Sequence, residues 1–414
     1  MKGLPIFLIV ALIAIVFASL PPIAFTADDP FVCPADAYRP LRVRDDELRP
    51  TIAARAADAR PLPRSIALWG DSHLAAPTFA AELQRVLEAR GLAVRRNFIA
   101  PYFDRPGVGI AVRNFCASRN WRFVAAYATK KVGGGTDFGP ALAKFETSTP
   151  DAYLWLDLRD ADGVADAFGL RLAFEAHAAD DGAAATVELV FDDDAPRRIA
   201  LEGDAQGVGE LTLAQDRAIG TLRLRVLTGR VALRGIAPWR PSLSPQTVRL
   251  DVFAIPGATV TPWSDLDPAM LAAAPGIASP ELVVLEYGTN EANNAFEPRN
   301  YRATLSKAVT NLRAAFPQAE CVLLGPPDRG VRARKGRVDR LRHARLHARI
   351  NEIQAQIAVE RGCRHFDWQR FMGGAGSAYE WARARPALMS GDLTHLSRDG
   401  TRRSANAFAN FLGW

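Results

Sequence analysis

Two kinds of strand are written into this sequence, and their order constrains the fold more than any other feature. Near-continuous apolar runs occur at SIALWG (65–70), VRLDVFAIPGA (248–258), ELVVLEYGTNEA (281–292), ECVLLGPPD (320–328) and CRHFDWQRF (363–371). Strands apolar at successive positions must be covered on both faces, the condition of a parallel sheet between helix layers. Helical segments separate them. In LAAPTFAAELQRVLEARG, Phe79, Leu83, Val86 and Leu87 recur at helical spacing and Gly91 closes the run, so the first unit reads strand, tight turn, helix. From Val338 to Gly362, Leu346, Ile350, Ile353 and Ile357 share one face and arginines the other.

The second kind fills the stretch from about Asn97 to Pro245. AYLWLDLR, GLRLAFEAH, ATVELVFDD, RRIALEG, GTLRLRVLTG and RVALRGIAPW are short alternating runs set off by Gly- and Asp-rich turns, the pattern of an all-β sandwich. The chain is therefore expected to hold one α/β domain in two parts, 63–103 and 245–414, split by an inserted β-sandwich at 104–244. KKVGGGTDFGPALAKF, within the insert, reads as a surface loop, because no strand-to-helix context follows for phosphate binding.

Ahead of the body, residues 1–27 hold one lysine and an apolar run from Leu4 to Leu20, then Pro21-Pro22; this predicts an export signal or membrane anchor. A small-x-small cleavage site is poorly formed, since Ala27 has Phe25 two places before it, so an uncleaved anchor is favoured. The lone positive charge lies on its N-terminal side, which places the body outside the cytoplasm. Residues 28–62, rich in Pro, Asp, Arg and Ala, read as a linker. The net charge of +6 is spread over 51 basic and 45 acidic residues without the clustered basic stripe of a nucleic-acid binder, so no nucleic acid is expected as a partner. Cys33, Cys116, Cys321 and Cys363 are even in number, as suits an oxidising compartment; four free thiols are the alternative. Cys321 and Cys363 each open a strand-like run and could bridge if those strands are neighbours.

Chemistry is concentrated where strands end. Ser72, in GDSH, follows the first strand at a helix start, the carboxyl edge at which open α/β sheets bind ligands; alone it is equally an N-cap. A nucleophilic serine needs a base, a group to orient the base, and oxyanion donors. Asp392 and His395, in GDLTHLS, are three apart before a helix-like finish, which lets the carboxylate meet one ring nitrogen while the other faces a distant serine. Gly257 and Asn290 end the next two strands and can offer a backbone N–H and a side-chain amide to an oxyanion. His73 and Glu291 are further candidates to line the substrate. His343 and His347 stand at i, i+4 on the arginine-rich helix, but without an evident third ligand they read as part of a solvated face, and no metal is expected. His177 and His365 read as structural.

In this order, GDSH, a glycine after a strand, GTNE and DLTH resemble the blocks of the SGNH hydrolases, the GDSL-type esterase and lipase superfamily. The resemblance implies a flavodoxin-like three-layer sandwich around a parallel sheet. It also implies a triad of Ser72, His395 and Asp392, with Ser72, Gly257 and Asn290 forming the oxyanion hole, and no cofactor. Glu291 departs from the family's usual Asp after the Asn. Together with LGPPD, FDWQRFMGG and the β insertion, the chain is similar to exported peptidoglycan O-acetylesterases, whose inserted module resembles a carbohydrate-binding domain. The resemblance thus implies an inner-membrane-tethered periplasmic esterase that removes acetyl groups from a glycan, peptidoglycan first.

Three rivals stay open: a polysaccharide O-acetyltransferase using the same triad, a lipase or thioesterase with a larger acyl pocket, and a non-catalytic glycan-binding protein. Sugar binding by the insert calls for exposed aromatics; Trp121, Trp155 and Trp239 are the candidates, with core packing the favoured alternative.

Overall fold

The computed structural model describes residues 62–128, 138–240, 244–274, 279–293, 295–332 and 339–414. The apolar N-terminal run and its linker lie outside these residues; among the described residues no helix is long and apolar enough to cross a membrane.

The apolar runs form one parallel sheet. Its strands are β1 (Ser65–Gly70), β2 (Ala93–Arg95), β13 (Thr247–Ala254), β14 (Leu282–Glu286), β15 (Glu320–Leu324) and β16 (Arg364–Phe366), in the order β16-β15-β14-β1-β13-β2. Without the short β2, this is the flavodoxin-like order in which β1 lies centrally and the chain reverses direction between β1 and β14, where such sheets bind ligands. Alternate residues of β1 feed two cores. Ile66 and Leu68 face helices α2 (Pro77–Glu88) and α8 (Arg398–Leu412), whereas Ala67 and Trp69 face the side of α4 (Pro298–Ala315) and α5 (Arg342–Arg361).

The helices begin where their sequences allow. Pro77 and Pro298 stand at first-turn positions, and Ser397 Oγ accepts from Gly400 N at 3.1 Å to cap α8. The α2 stripe of Phe79, Leu83, Val86 and Leu87 is buried as its spacing predicts, with Phe79 packed against Phe408 of α8 at 6.0 Å between ring centroids. In CRHFDWQRF only Arg364–Phe366 is strand. Asp367 caps a short helix at Trp368–Met372 by accepting from Arg370 N, and that ends the extended run.

Two antiparallel sheets occupy the alternating region. One joins β10 (Val208–Ile219), β7 (Ala167–His177), β12 (Arg230–Trp239), β5 (Ala143–Thr147) and β4 (Arg122–Ala125). The other joins β3 (Asn114–Ala117), β6 (Tyr153–Asp157), β11 (Thr221–Thr228), β8 (Thr186–Phe191) and β9 (Arg197–Ala200). Leu154, Leu172, Phe174, Leu189, Leu224 and Leu233 from both sheets fill the space between them. This core is continuous with the α4/α5 side of the parallel sheet through Phe98, Phe253 and Trp69. Where the chain leaves the parallel sheet, Asp251 Oδ1 of β13 accepts from Asn97 N at 2.8 Å and Phe98 N at 2.9 Å.

The structure decides several readings that the sequence left open and corrects one. Trp121 stacks on Phe145 and Trp155 packs with Cys116, both buried, so of the three tryptophans only Trp239 is exposed. The glycine-rich segment is not wholly a surface loop: 129–137 lies outside the described residues, but Phe138, Ala141 and Leu142 are buried, with Trp69 Nε1 donating to Pro140 O. Cys321 of β15 and Cys363, immediately before the neighbouring β16, form a disulfide, Cys116 is also disulfide-bonded, and no described cysteine is free.

Candidate active site

The site is assembled at the carboxyl ends of β1, β13 and β14. After β1 the chain turns at Asp71, whose Oδ1 accepts from His73 N at 2.9 Å and caps the short helix α1 (Ser72–Ala75). Ser72 thereby becomes the first helical residue, where an N–H has no intrahelical acceptor. The preceding Gly70 admits no side chain: a Cβ there would lie 2.6 Å from Glu286 Oε2.

Ser72 Oγ lies 3.0 Å from His395 Nε2, across 323 residues of sequence. The other ring nitrogen, His395 Nδ1, lies 2.7 Å from Asp392 Oδ2. Asp392 Oδ1 accepts from Thr394 N at 2.9 Å and His395 N at 3.0 Å, so one side chain both shapes the turn and orients the ring. The turn is held in place by a bridge between Met389 and Leu396 and by Gly330 N donating to Leu393 O. Burial pulls the Asp392 carboxyl up, but the ring and the two backbone N–H groups outweigh it and bring it to about 2. Asp392 and His395 are both nearly half-exposed.

Opposite stands a turn over Ile255–Ala258, closed by Ala258 N donating to Ile255 O at 3.0 Å. Pro256 at its second position and Gly257 at its third, with φ of +85°, make it type II, which excludes most other residues from the Gly257 position. The N–H groups of Ile255, Ala258 and Val260 are taken by Gly70 O, Ile255 O and Glu291 Oε1. That of Gly257 has no acceptor among the described residues. Asn290 Nδ2 donates to Ala258 O at 2.8 Å and, more weakly, to Asp71 Oδ2 at 3.3 Å.

The two candidate lining residues sit elsewhere than expected. His73 is buried, with its ring 5.7 Å from that of His395 and 5.8 Å from Trp368. Burial, and then the neighbouring His395, lower it to about 3, so it is a neutral ring packed beside His395 and Trp368. Glu291 turns its Oε1 toward Val260 N at 2.7 Å and braces the Gly257 turn. His347 is also corrected: it is fully buried with Nδ1 against Pro327 O, while His343 Nδ1 meets Ala292 O, and no group of metal-binding side chains occurs among the described residues.

Sequence reasoning missed a buried carboxyl pair behind the serine. Glu286, at the end of β14, accepts from Asp71 N through Oε2 at 2.9 Å, and both residues are inaccessible to solvent. Burial raises Asp71 to about 6; burial and then the Asp71 charge push Glu286 well above the usual carboxylate range. The glutamate that closes the apolar run LVVL (282–285) was the available signal. A small cavity behind the Gly257 turn is lined by Gly70, Tyr127, Phe253, Ile255, Ala258 and Tyr287 among others; neither Ser72 nor His395 lines it, so it is not an acyl pocket.

Residues 228–403 match the GDSL-like lipase/acylhydrolase family. That stretch thus carries a GDSL-like lipase/acylhydrolase domain. The family match takes in Gly257, Asn290, Asp392 and His395 but begins just before β12, within the insertion that separates them from Ser72, and so leaves Ser72 outside it. Among solved structures, the chain is similar to one described as "Peptidoglycan O-acetylesterase in action, 5 min", at 22% identity over 84% of this chain and 90% of that one, with a TM-score of 0.62. A family two carbohydrate esterase from Cellvibrio japonicus matches at 12% identity, over 72% of this chain and 97% of that one, with a TM-score of 0.26. No curated protein sequence matches. The fold is that of the SGNH hydrolases and the chain is an esterase.

Proposed function

We propose that this GDSL-type esterase is an exported acetylesterase that removes O-acetyl groups from a glycan, peptidoglycan foremost, through an acyl-serine intermediate. The observation that carries the reading is the relay from Asp392 through His395 to Ser72, at 2.7 and 3.0 Å, beside the Gly257 turn. His395 Nε2 takes the Ser72 proton as Oγ attacks the acetyl carbonyl, and Asp392 stabilises the imidazolium. The Ser72 and Gly257 N–H groups and the Asn290 amide receive the oxyanion, which takes over the long Asn290 bond to Asp71. His395 then gives its proton to the departing sugar hydroxyl, and water repeats the sequence to release acetate. The near half-exposure of Asp392 and His395 leaves water beside the acyl-enzyme, which supports hydrolysis over transfer.

Peptidoglycan as substrate is supported by the description of the similar structure that spans most of both chains. Export is supported by the apolar segment at Leu4–Leu20 and by the disulfides, which persist in oxidising compartments; we place the enzyme in the periplasm, tethered by its N-terminal segment. The test is acetate release by the full chain from O-acetylated peptidoglycan and from an aryl acetate, beside Ser72→Ala. Release from both, abolished in a folded variant, is expected. Cleavage of the aryl ester alone would reject peptidoglycan as substrate, and an unchanged rate in the variant would reject the mechanism.

A further inference from the structure

In a type II turn the central peptide is turned over by about half a rotation relative to type I, with the ends of the turn unchanged. In the Ile255–Ala258 turn that peptide joins Pro256 to Gly257, and its N–H is one of the three oxyanion donors of the proposed mechanism. A trans peptide carries its C=O and N–H on opposite sides. Whatever holds Pro256 O therefore aims the Gly257 N–H.

Gly70 O, Glu291 and Asn290 secure Ile255 N, Val260 N and Ala258 O, which fixes the ends of the turn and leaves the central peptide untouched. The group on the central peptide comes from the inserted region. Tyr127, in a single helical turn (Ala126–Ala128) that follows β4, donates its hydroxyl to Pro256 O at 2.9 Å, and its ring lies 3.6 Å from where a Cβ on Gly257 would be. Burial raises the Tyr127 phenol above its ordinary value, so it stays a donor through neutral and mildly alkaline pH.

We propose that Tyr127 is a positioning residue of the oxyanion hole: its hydroxyl holds the Pro256–Gly257 peptide in the orientation that presents the Gly257 N–H to the acyl oxygen on Ser72. The inference rests on the esterase mechanism above and extends it, since the insert then completes the catalytic apparatus as well as any glycan contact it makes. Pro-Gly already favours type II, so Tyr127 supplies the margin that keeps the peptide from turning over.

Tyr127→Phe in the full chain tests this, with an aryl acetate as substrate and an arylboronic acid as probe. The boronate forms a tetrahedral adduct with a nucleophilic serine and places an oxygen in the oxyanion hole. We expect kcat to fall about tenfold, the scale of one hydrogen bond, with KM within about twofold of wild type. The affinity for boronate should fall by about the same factor, with circular dichroism unchanged. Unaltered kcat and boronate affinity would overturn the proposal, as would a loss confined to KM for a glycan ester, which would make Tyr127 a substrate contact instead. A wild-type chain that neither turns over the aryl ester nor binds boronate would remove the serine mechanism itself.

Discussion

Replacing Asp392 by asparagine should damage this enzyme more than replacing it by alanine. Asp392 Oδ1 accepts two backbone N–H groups at 2.9 and 3.0 Å, and Oδ2 faces His395 Nδ1 at 2.7 Å. An asparagine that keeps its oxygen on the backbone must turn its NH2 toward Nδ1. Two N–H donors cannot face each other, so the ring shifts its proton to Nε2, which points at Ser72 Oγ 3.0 Å away and can no longer accept. Loss of the charge and imposition of the wrong tautomer should together lower kcat about 10³- to 10⁴-fold, or ~4–5.5 kcal/mol. Alanine removes the charge but imposes no tautomer, and because the pair is nearly half-exposed, water can replace the carboxylate; a loss of about 10²-fold is expected, close to one charge-assisted hydrogen bond. Since Asp392 is held at about 2, it stays ionised across any practical assay range, and the order should persist from pH 6 to 9. Initial rates on an aryl acetate measure it. An asparagine variant within threefold of wild type, or less impaired than the alanine variant, would refute the orienting role.

Asn290→Ala removes a proposed oxyanion donor and leaves Ala258 O without its 2.8 Å partner; kcat should fall about 10²- to 10³-fold with little change in KM, read by the same assay. Asp251 is buried, and burial raises it to about 6 against the pull of the Asn97 and Phe98 N–H groups. The unfolded chain releases this proton near pH 4 and the folded one near 6, so stability should decline as pH rises between them, by up to ~3 kcal/mol. Asp251→Asn should flatten that decline in urea unfolding at pH 4.5 and 7, and an unchanged slope would contradict it. Removing the Cys321–Cys363 disulfide with paired alanines opens a 42-residue separation and should cost about 3–4 kcal/mol in denaturant unfolding.

The parts of the fold legible in the sequence were those whose signal is local. β1, β14 and β15 are buried along almost their whole length and β13 along most of it, so their sequences are mainly apolar, and GDSH, GTNE and DLTH each lie within one turn of the residues they serve. β10 left less of a mark: it is an edge strand with alternate residues in water, and VGELTLAQDRAI is correspondingly polar. His347 seemed solvated because arginines surround it in sequence. It nevertheless falls three residues before Ile350, on the buried stripe of α5, and that period was the better guide. Tyr127 left no mark at all. Its partner Pro256 is 129 residues away, and only the packing of the insert against the parallel sheet brings them together.

The proposed chemistry depends most directly on Ser72 being an activated nucleophile. Treating the full chain with an aryl fluorophosphonate and mapping the adduct by peptide mass spectrometry tests that claim. One equivalent on the peptide carrying Ser72, with labelling slowed at least about a hundredfold in His395→Ala, is the expected result. No adduct, an adduct on another residue, or labelling indifferent to His395 would contradict it.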